Sequence, residues 1–174
     1  IKDKYDDTAL TNAAYKNNRE IIKLLLNAGA DINKQDNNGY TALIKVVFYK
    51  KIEIFELLLN FGADLNIQNN QGNTALILAA RYNKIEIVKL LLNAGSDLNK
   101  QNNVGNTALI IAALYNNVEI VKLLLDYDAD EFILNNENKS FYDYLNDENK
   151  EYFTQNYPTS VYNAISHWYK KSFT

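Results

Sequence analysis

Cysteine and methionine are missing from the 174-residue sequence, and histidine, proline and tryptophan occur once each. Without cysteine there is no disulfide scaffold, thiolate zinc site, iron–sulfur cluster or thiol nucleophile. The same absence leaves the redox compartment open. One histidine rules out a multi-histidine metal site. No apolar run approaches the roughly 18 residues a membrane span needs, so no membrane segment is expected. Neither sign of charge dominates: 18 Lys and Arg stand against 21 Asp and Glu, a formal net charge of -3. That balance gives no basic footprint for nucleic acid. What remains is 47% hydrophobic, enough to bury a core, and it is rich in asparagine, with 27 copies.

The six glycines form two ladders, 29, 62, 95 and 39, 72, 105, with every step equal to 33. The same step relates Thr8-Ala9-Leu10, Thr41-Ala42-Leu43, Thr74-Ala75-Leu76 and Thr107-Ala108-Leu109. It also relates the Leu-Leu-Leu runs that begin at Leu24, Leu57, Leu90 and Leu123. Residues 69–101 and 102–134 are identical at 20 of 33 positions. A fixed period of this length means stacked repeats, each unable to bury its apolar face alone.

One unit, 69–101, reads as follows. Asn69 to Asn73 is turn chemistry, with Gly72 free to take positive φ. Thr74 caps a first helix over about 75–82, whose Leu76, Ala79 and Ala80 share a face. Asn83 ends it as a left-handed cap. Glu86 opens a second helix, where its charge suits the N-terminal dipole. Ile87, Val88, Leu90, Leu91 and Leu92 give that helix a wide apolar stripe, and Gly95 ends it. Ser96 to Gln101 form an extended finger to the next unit.

This pattern resembles the ankyrin repeat family, whose signature runs D-x-x-G-x-T-P-L-H-x-A-A, then E-[IV]-V-x-L-L-L, then G-A-D-x-N. Asp36, Gly39, Thr41 and Leu43 match its opening. Glu86-Ile87-Val88 and Leu90-Leu91-Leu92 match its middle, and Gly29-Ala30-Asp31-Ile32-Asn33 and Gly62-Ala63-Asp64-Leu65-Asn66 its end. The resemblance implies an all-α solenoid of stacked antiparallel helix pairs with short hairpin-like fingers and a helical C-terminal cap. We divide this single domain, 1–174, into four repeats (3–35, 36–68, 69–101, 102–134), a degenerate fifth (135–157) and a capping helix (158–174).

Departures from the signature carry their own expectations. Its proline is Ala9, Ala42, Ala75 and Ala108. Its histidine is Thr11, Ile44, Ile77 and Ile110, so packing should replace a polar ladder between units. Its glycine between helices is Asn17, Lys50, Asn83 and Asn116, and Lys50 is the poor fit. In unit two, Val46-Val47 replaces the alanine pair and Phe55 is enlarged, which predicts wider local spacing or else compensated packing. Unit one has no distinct polar cap, although Thr11 and Asn12 would soften its outer face. The chain begins Ile1-Lys2-Asp3 without Met or a signal-like start. We therefore expect either continuation upstream or a first unit that is its own cap.

No catalytic constellation emerges. There is no phosphate-binding glycine loop. His167 falls on the polar side of an expected helix over 159–171, with no nucleophile at a useful spacing. Asp31, Asn33 and Asp36 lack the Gly and Glu of a calcium loop, and turn hydrogen bonding explains the recurring Asp-x-Asn better. The sequon Asn138-Lys139-Ser140 carries little weight in an asparagine-rich chain. The expectation is a protein that is not an enzyme and has no cofactor or metal.

Positions that vary between otherwise similar units point to binding. The first helix ends in Tyr15-Lys16, Phe48-Tyr49, Arg81-Tyr82 and Leu114-Tyr115. The preceding turns carry Tyr5 and Asp7, Asn38 and Tyr40, Gln71 and Asn73, Val104 and Asn106. The resemblance places these on a concave face and finger tips that contact partners. The expected partner-binding set is Tyr15, Lys16, Tyr40, Phe48, Tyr49, Asn73, Arg81, Tyr82, Asn106, Leu114 and Tyr115. Within it, Tyr49, Tyr82 and Tyr115 should form a column flanked by the others. The alternative for these tyrosines is a structural ladder between units.

From Tyr127 onward lie 12 of the 21 aromatic residues. Asp128 and Asn138 stand where the two glycine ladders would continue. Helices are expected over Ser140 to Leu145, over about 148–156 and after Pro158. Phe132, Phe141, Tyr144, Tyr152, Phe153, Val161, Ile165 and Trp168 should cover the end of the array, the alternative being a second docking surface. The resulting expectation is a monomeric, non-catalytic module that recognises a protein partner, as an inhibitor, immunity protein or bacterial effector. The alternative is a structural repeat segment or the targeting domain of a larger protein. A cytoplasmic location is favoured, with secretion or delivery into a host left open.

Overall fold

Helix starts are set by the repeated threonines. In the computed structural model, which describes residues 8–49 and 51–157, the Oγ1 atoms of Thr8, Thr41, Thr74 and Thr107 accept from backbone N–H groups three residues on, at 3.0–3.3 Å. Each bond satisfies a donor that a helix N-terminus would otherwise leave orphaned. The helices so begun are α1 (Ala9–Tyr15), α3 (Ala42–Tyr49), α5 (Ala75–Arg81) and α7 (Ala108–Leu114). Asn17, Asn83 and Asn116 follow at φ 58°, 52° and 56°, the left-handed region that asparagine tolerates. The chain then reverses into α2 (Arg19–Asn27), α4 (Ile52–Asn60), α6 (Ile85–Asn93) and α8 (Val118–Asp126). Lys50, Tyr5, Asp7, His167 and the expected helix after Pro158 lie outside the described residues.

The first helices stack in the order α1, α3, α5, α7, each paired with the second helix of its own unit. A single core runs through the stack. Ile44, Ile77 and Ile110 are buried within it, so packing does replace the family's histidine. Val46, Val47 and Phe55 are fully buried, and the unusual side chains of unit two fill core space. Thr11 does not soften an outer face. It is fully buried, and its Oγ1 donates to the Thr8 carbonyl at 2.9 Å.

Fingers are tied edge to edge by side-chain amides. Gln35, Gln68 and Gln101 donate through Nε2 to the carbonyls of Gln68, Gln101 and Leu134 at 2.8–3.0 Å. Asn33, Asn66 and Asn99 accept through Oδ1 from the backbone N–H of Asp64, Asp97 and Asp130 at 2.9 Å. Asp31 accepts from the Asn33 N–H, so the Asp-x-Asn pattern is turn bonding. Part of the asparagine excess is explained here: Asn33, Asn66 and Asn99 couple successive units, while each glutamine amide both bonds its own turn and couples to the next.

The glycine ladders change residue at Asp128, in unit four, and at Asn138, in the fifth unit, but keep their geometry. Asp128 and Asn138 sit at φ 60° and 59°. The fifth unit departs later. Ser140 to Leu145, expected as a helix, forms only a short 3-10 turn at Tyr142–Tyr144. Asp143 Oδ2 accepts from both the N–H and the hydroxyl of Ser140, and Leu145 turns extended toward Asn146. Asn146 then caps α9 (Asp147–Asn156). Phe141 and Leu145 are buried, as is Phe153 on α9, with the Phe141 and Phe153 rings 6.4 Å apart and nearly perpendicular.

Candidate functional site

The first helices are short, so each delivers its last side chains to the same edge of the stack. The expected column of Tyr49, Tyr82 and Tyr115 is interleaved with residues from the neighbouring unit. Tyr15 meets Tyr49 edge-on at 4.8 Å between ring centroids. Phe48 meets Tyr82 at 5.2 Å. The guanidinium carbon of Arg81 lies 5.3 Å from the centre of the Tyr115 ring and 5.7 Å from that of Tyr82. Each contact between units joins residue i to i+34, because a side chain at the end of one first helix reaches the tyrosine of the next unit. Tyr40 packs against Phe48 at 5.6 Å and extends the strip toward the fingers.

These rings are locked without being hidden. Tyr15, Tyr49, Tyr82 and Tyr115 remain 51%, 47%, 45% and 44% exposed. Half of each ring packs on protein and half faces outward, so a structural ladder and an available surface coexist in the same side chains. Leu114 and Lys16 are also exposed, whereas Tyr40 and Phe48 are half-buried.

The finger asparagines behave differently. Asn73 and Asn106 are buried, contrary to their expected place as open partner contacts. Their Oδ1 atoms accept from Asn102 Nδ2 and Asn135 Nδ2, both at 2.9 Å. Burial next to the following finger requires such bonds, and they leave the amides holding the fingers together. Both still line the wall of a groove of about 410 Å³ that Arg81, Leu114 and Tyr115 also line. Val104, 57% exposed, also lines it; it was among the turn positions placed on the finger tips but was left out of the expected partner-binding set. The available signal was that Val104 is the one aliphatic residue at a position that is Tyr5, Asn38, Gln71 and Glu137 in the other units.

Elsewhere, polar side chains serve the scaffold. Asp36 Oδ1 accepts from the N–H groups of Asn38 and Tyr40, and its Oδ2 lies 3.0 Å from Lys45 Nζ. Glu137 bonds Lys139, which lowers the carboxyl's pKa and raises that of the amine. Among the described residues there is no group of three or more His, Asp or Glu able to hold a metal. No helix among them is long and apolar enough to cross a membrane. The arrangement offers shape, aromatic area and one exposed guanidinium for recognition.

A family model for ankyrin repeats (3 copies) matches residues 1–69 and 46–135. No curated protein matches the chain.

Proposed function

The chain belongs to the ankyrin repeat family, and from that premise we propose that it is a non-catalytic module holding a protein partner on its concave face and finger tips. Ankyrin repeats are in general protein–protein interaction modules. The observation that carries the finer reading is the interleaved strip from Tyr15 to Tyr115, half exposed yet fixed by contacts between units. Large rings held in place lose little side-chain entropy when a partner arrives, and Tyr and Arg favour binding hot spots. A module of this kind acts by occupying its partner's surface. An inhibitor, an immunity protein and a delivered effector are the specific versions it would serve.

The test is affinity capture from the encoding organism, with a Tyr49→Ala/Tyr82→Ala/Tyr115→Ala variant as control. The partner taken by wild type should be retained at least about tenfold less well by the variant, since hot-spot truncations commonly exceed 1 kcal/mol each. Each lost ring contact should cost only about 0.5–1.5 kcal/mol of stability. Equal recovery of the same partner would reject the site. Loss of stability without loss of capture would favour a structural ladder in a spacer or targeting domain.

A further inference from the structure

Charge on this molecule is sorted by face. The net charge is -3, yet α1, α3, α5 and α7 contain no acidic residue. The acids lie on the second helices instead: Glu20 on α2, Glu53 on α4, Glu86 on α6 and Glu119 on α8. The finger bases keep Asp64, Asp97 and Asp130, but the turns that open units three and four follow the same rule as the first helices. Asp36 opens the turn of unit two, but Asn69, Asn102 and Asn135 take its place in later units, making the same turn bonds without the charge. Asp36 itself is paired with Lys45. Residues 69–82 and 102–115, which line the groove, therefore contain no carboxylate, and their one charge is Arg81.

Arg81 is exposed, and no carboxylate pairs with it among the described residues. The Tyr82 and Tyr115 rings fix its guanidinium at the groove while leaving its donors unmatched by an anion. A guanidinium held over aromatic faces is preorganised for bidentate carboxylate binding. Beside it, Val104, Ile111 and Leu114 supply an apolar wall. We propose, building on the partner-binding reading above, that the groove between the turns that open units three and four takes an extended acidic peptide segment of the partner, with a carboxylate on Arg81 and an adjacent apolar side chain against Val104 and Leu114. The carboxylate-free lining of the groove would favour approach of such a segment over a basic one.

A phage-displayed library of random linear peptides, panned on the full chain, should yield sequences enriched in Asp or Glu beside an aliphatic or aromatic residue. Synthetic copies should bind Arg81→Gln at least about tenfold more weakly than wild type, the effect expected of losing a charge-assisted bidentate pair. They should bind Lys89→Glu, a charge change on α6, as they bind wild type. Arg81→Lys keeps the charge and a helix-compatible stem, and should lose less than Arg81→Gln. Circular dichroism confirms that each variant is folded. Peptides without acidic enrichment, binding indifferent to Arg81→Gln, or a library that yields no binder would overturn the proposal. A captured partner lost by the triple tyrosine variant but held normally by Arg81→Gln would leave the concave face standing and remove the acidic segment. Retention by both variants would remove both readings.

Discussion

Gly72 and Gly95 have nearly the same backbone geometry, φ 76° and 79°, and different surroundings. A Cβ on Gly72 would lie 2.6 Å from the Asn103 backbone nitrogen and 2.9 Å from the Asn102 Cα. A Cβ on Gly95 would meet nothing within 4 Å. Gly95→Ala should therefore cost only the left-handed strain, about 1–2 kcal/mol. Gly72→Ala should cost roughly 1–3 kcal/mol beyond that, because the next finger must move. Urea denaturation of the two variants measures the gap, and equal losses would mean that the fingers shift freely. Space is open at the helix-end glycines Gly29, Gly62 and Gly95, and at the next step of that ladder Asp128 takes glycine's place at φ 60°. The inner ladder is broken only at Asn138, beyond which no further finger is stacked among the described residues.

At the scale of elements, α9 is fastened to α8 across one hydrogen bond. The Tyr157 hydroxyl donates to Asp126 Oδ1 at 2.9 Å. Burial, reinforced by that bond and by the Asp126 charge, pushes the Tyr157 pKa from 10.0 up to about 12. The folded state thus favours the neutral phenol more than the unfolded chain does. Its contribution is complete below pH 10 and disappears as pH rises through about 12. Tyr157→Phe should remove this part of the alkaline loss of stability, leaving a flatter profile across the same interval. Chemical denaturation at stepped pH checks it, and an unchanged slope would mean that the bond contributes nothing to docking α9. The 3-10 turn before α9 belongs to the same scale. Helix propensity alone favours continuing from Ser140, but the Ser140–Asp143 bonds close the turn early.

The described residues form a nearest-neighbour stack whose first and last units differ. Ile21 is 45% exposed and Leu24 69%, while Ile54, Ile87 and Ile120, the equivalents of Ile21, are buried by the unit before them. In the last described unit Phe153 is fully buried, with ring contacts to Phe141, Tyr152 and Tyr157. Phe153→Ala should cost about 3–5 kcal/mol through the cavity it leaves. In a stack that loss is felt first by the adjoining unit. Hydrogen exchange should show α7 and α8 losing protection before α3 to α6, and uniform loss along the chain would contradict nearest-neighbour coupling.

Much of this was determined by the sequence itself, because the relevant forces act within one unit. The threonine caps, the left-handed asparagines, the Asp-x-Asn turns and the apolar stripes all depend on residues a few positions apart, and the step of 33 multiplies them. The candidate surface was partly legible for the same reason: side chains at the end of a short helix share an edge. What the period could not decide was how far one unit reaches into the next. Tertiary structure buried Asn73 and Asn106 by bringing the following asparagines to 2.9 Å, offset the aromatic strip to i+34, and separated Ile21 from its buried equivalents. It also placed Arg81 between two rings beside Val104. Those outcomes depend on the spacing of stacked units, a distance that residue types within one unit do not encode.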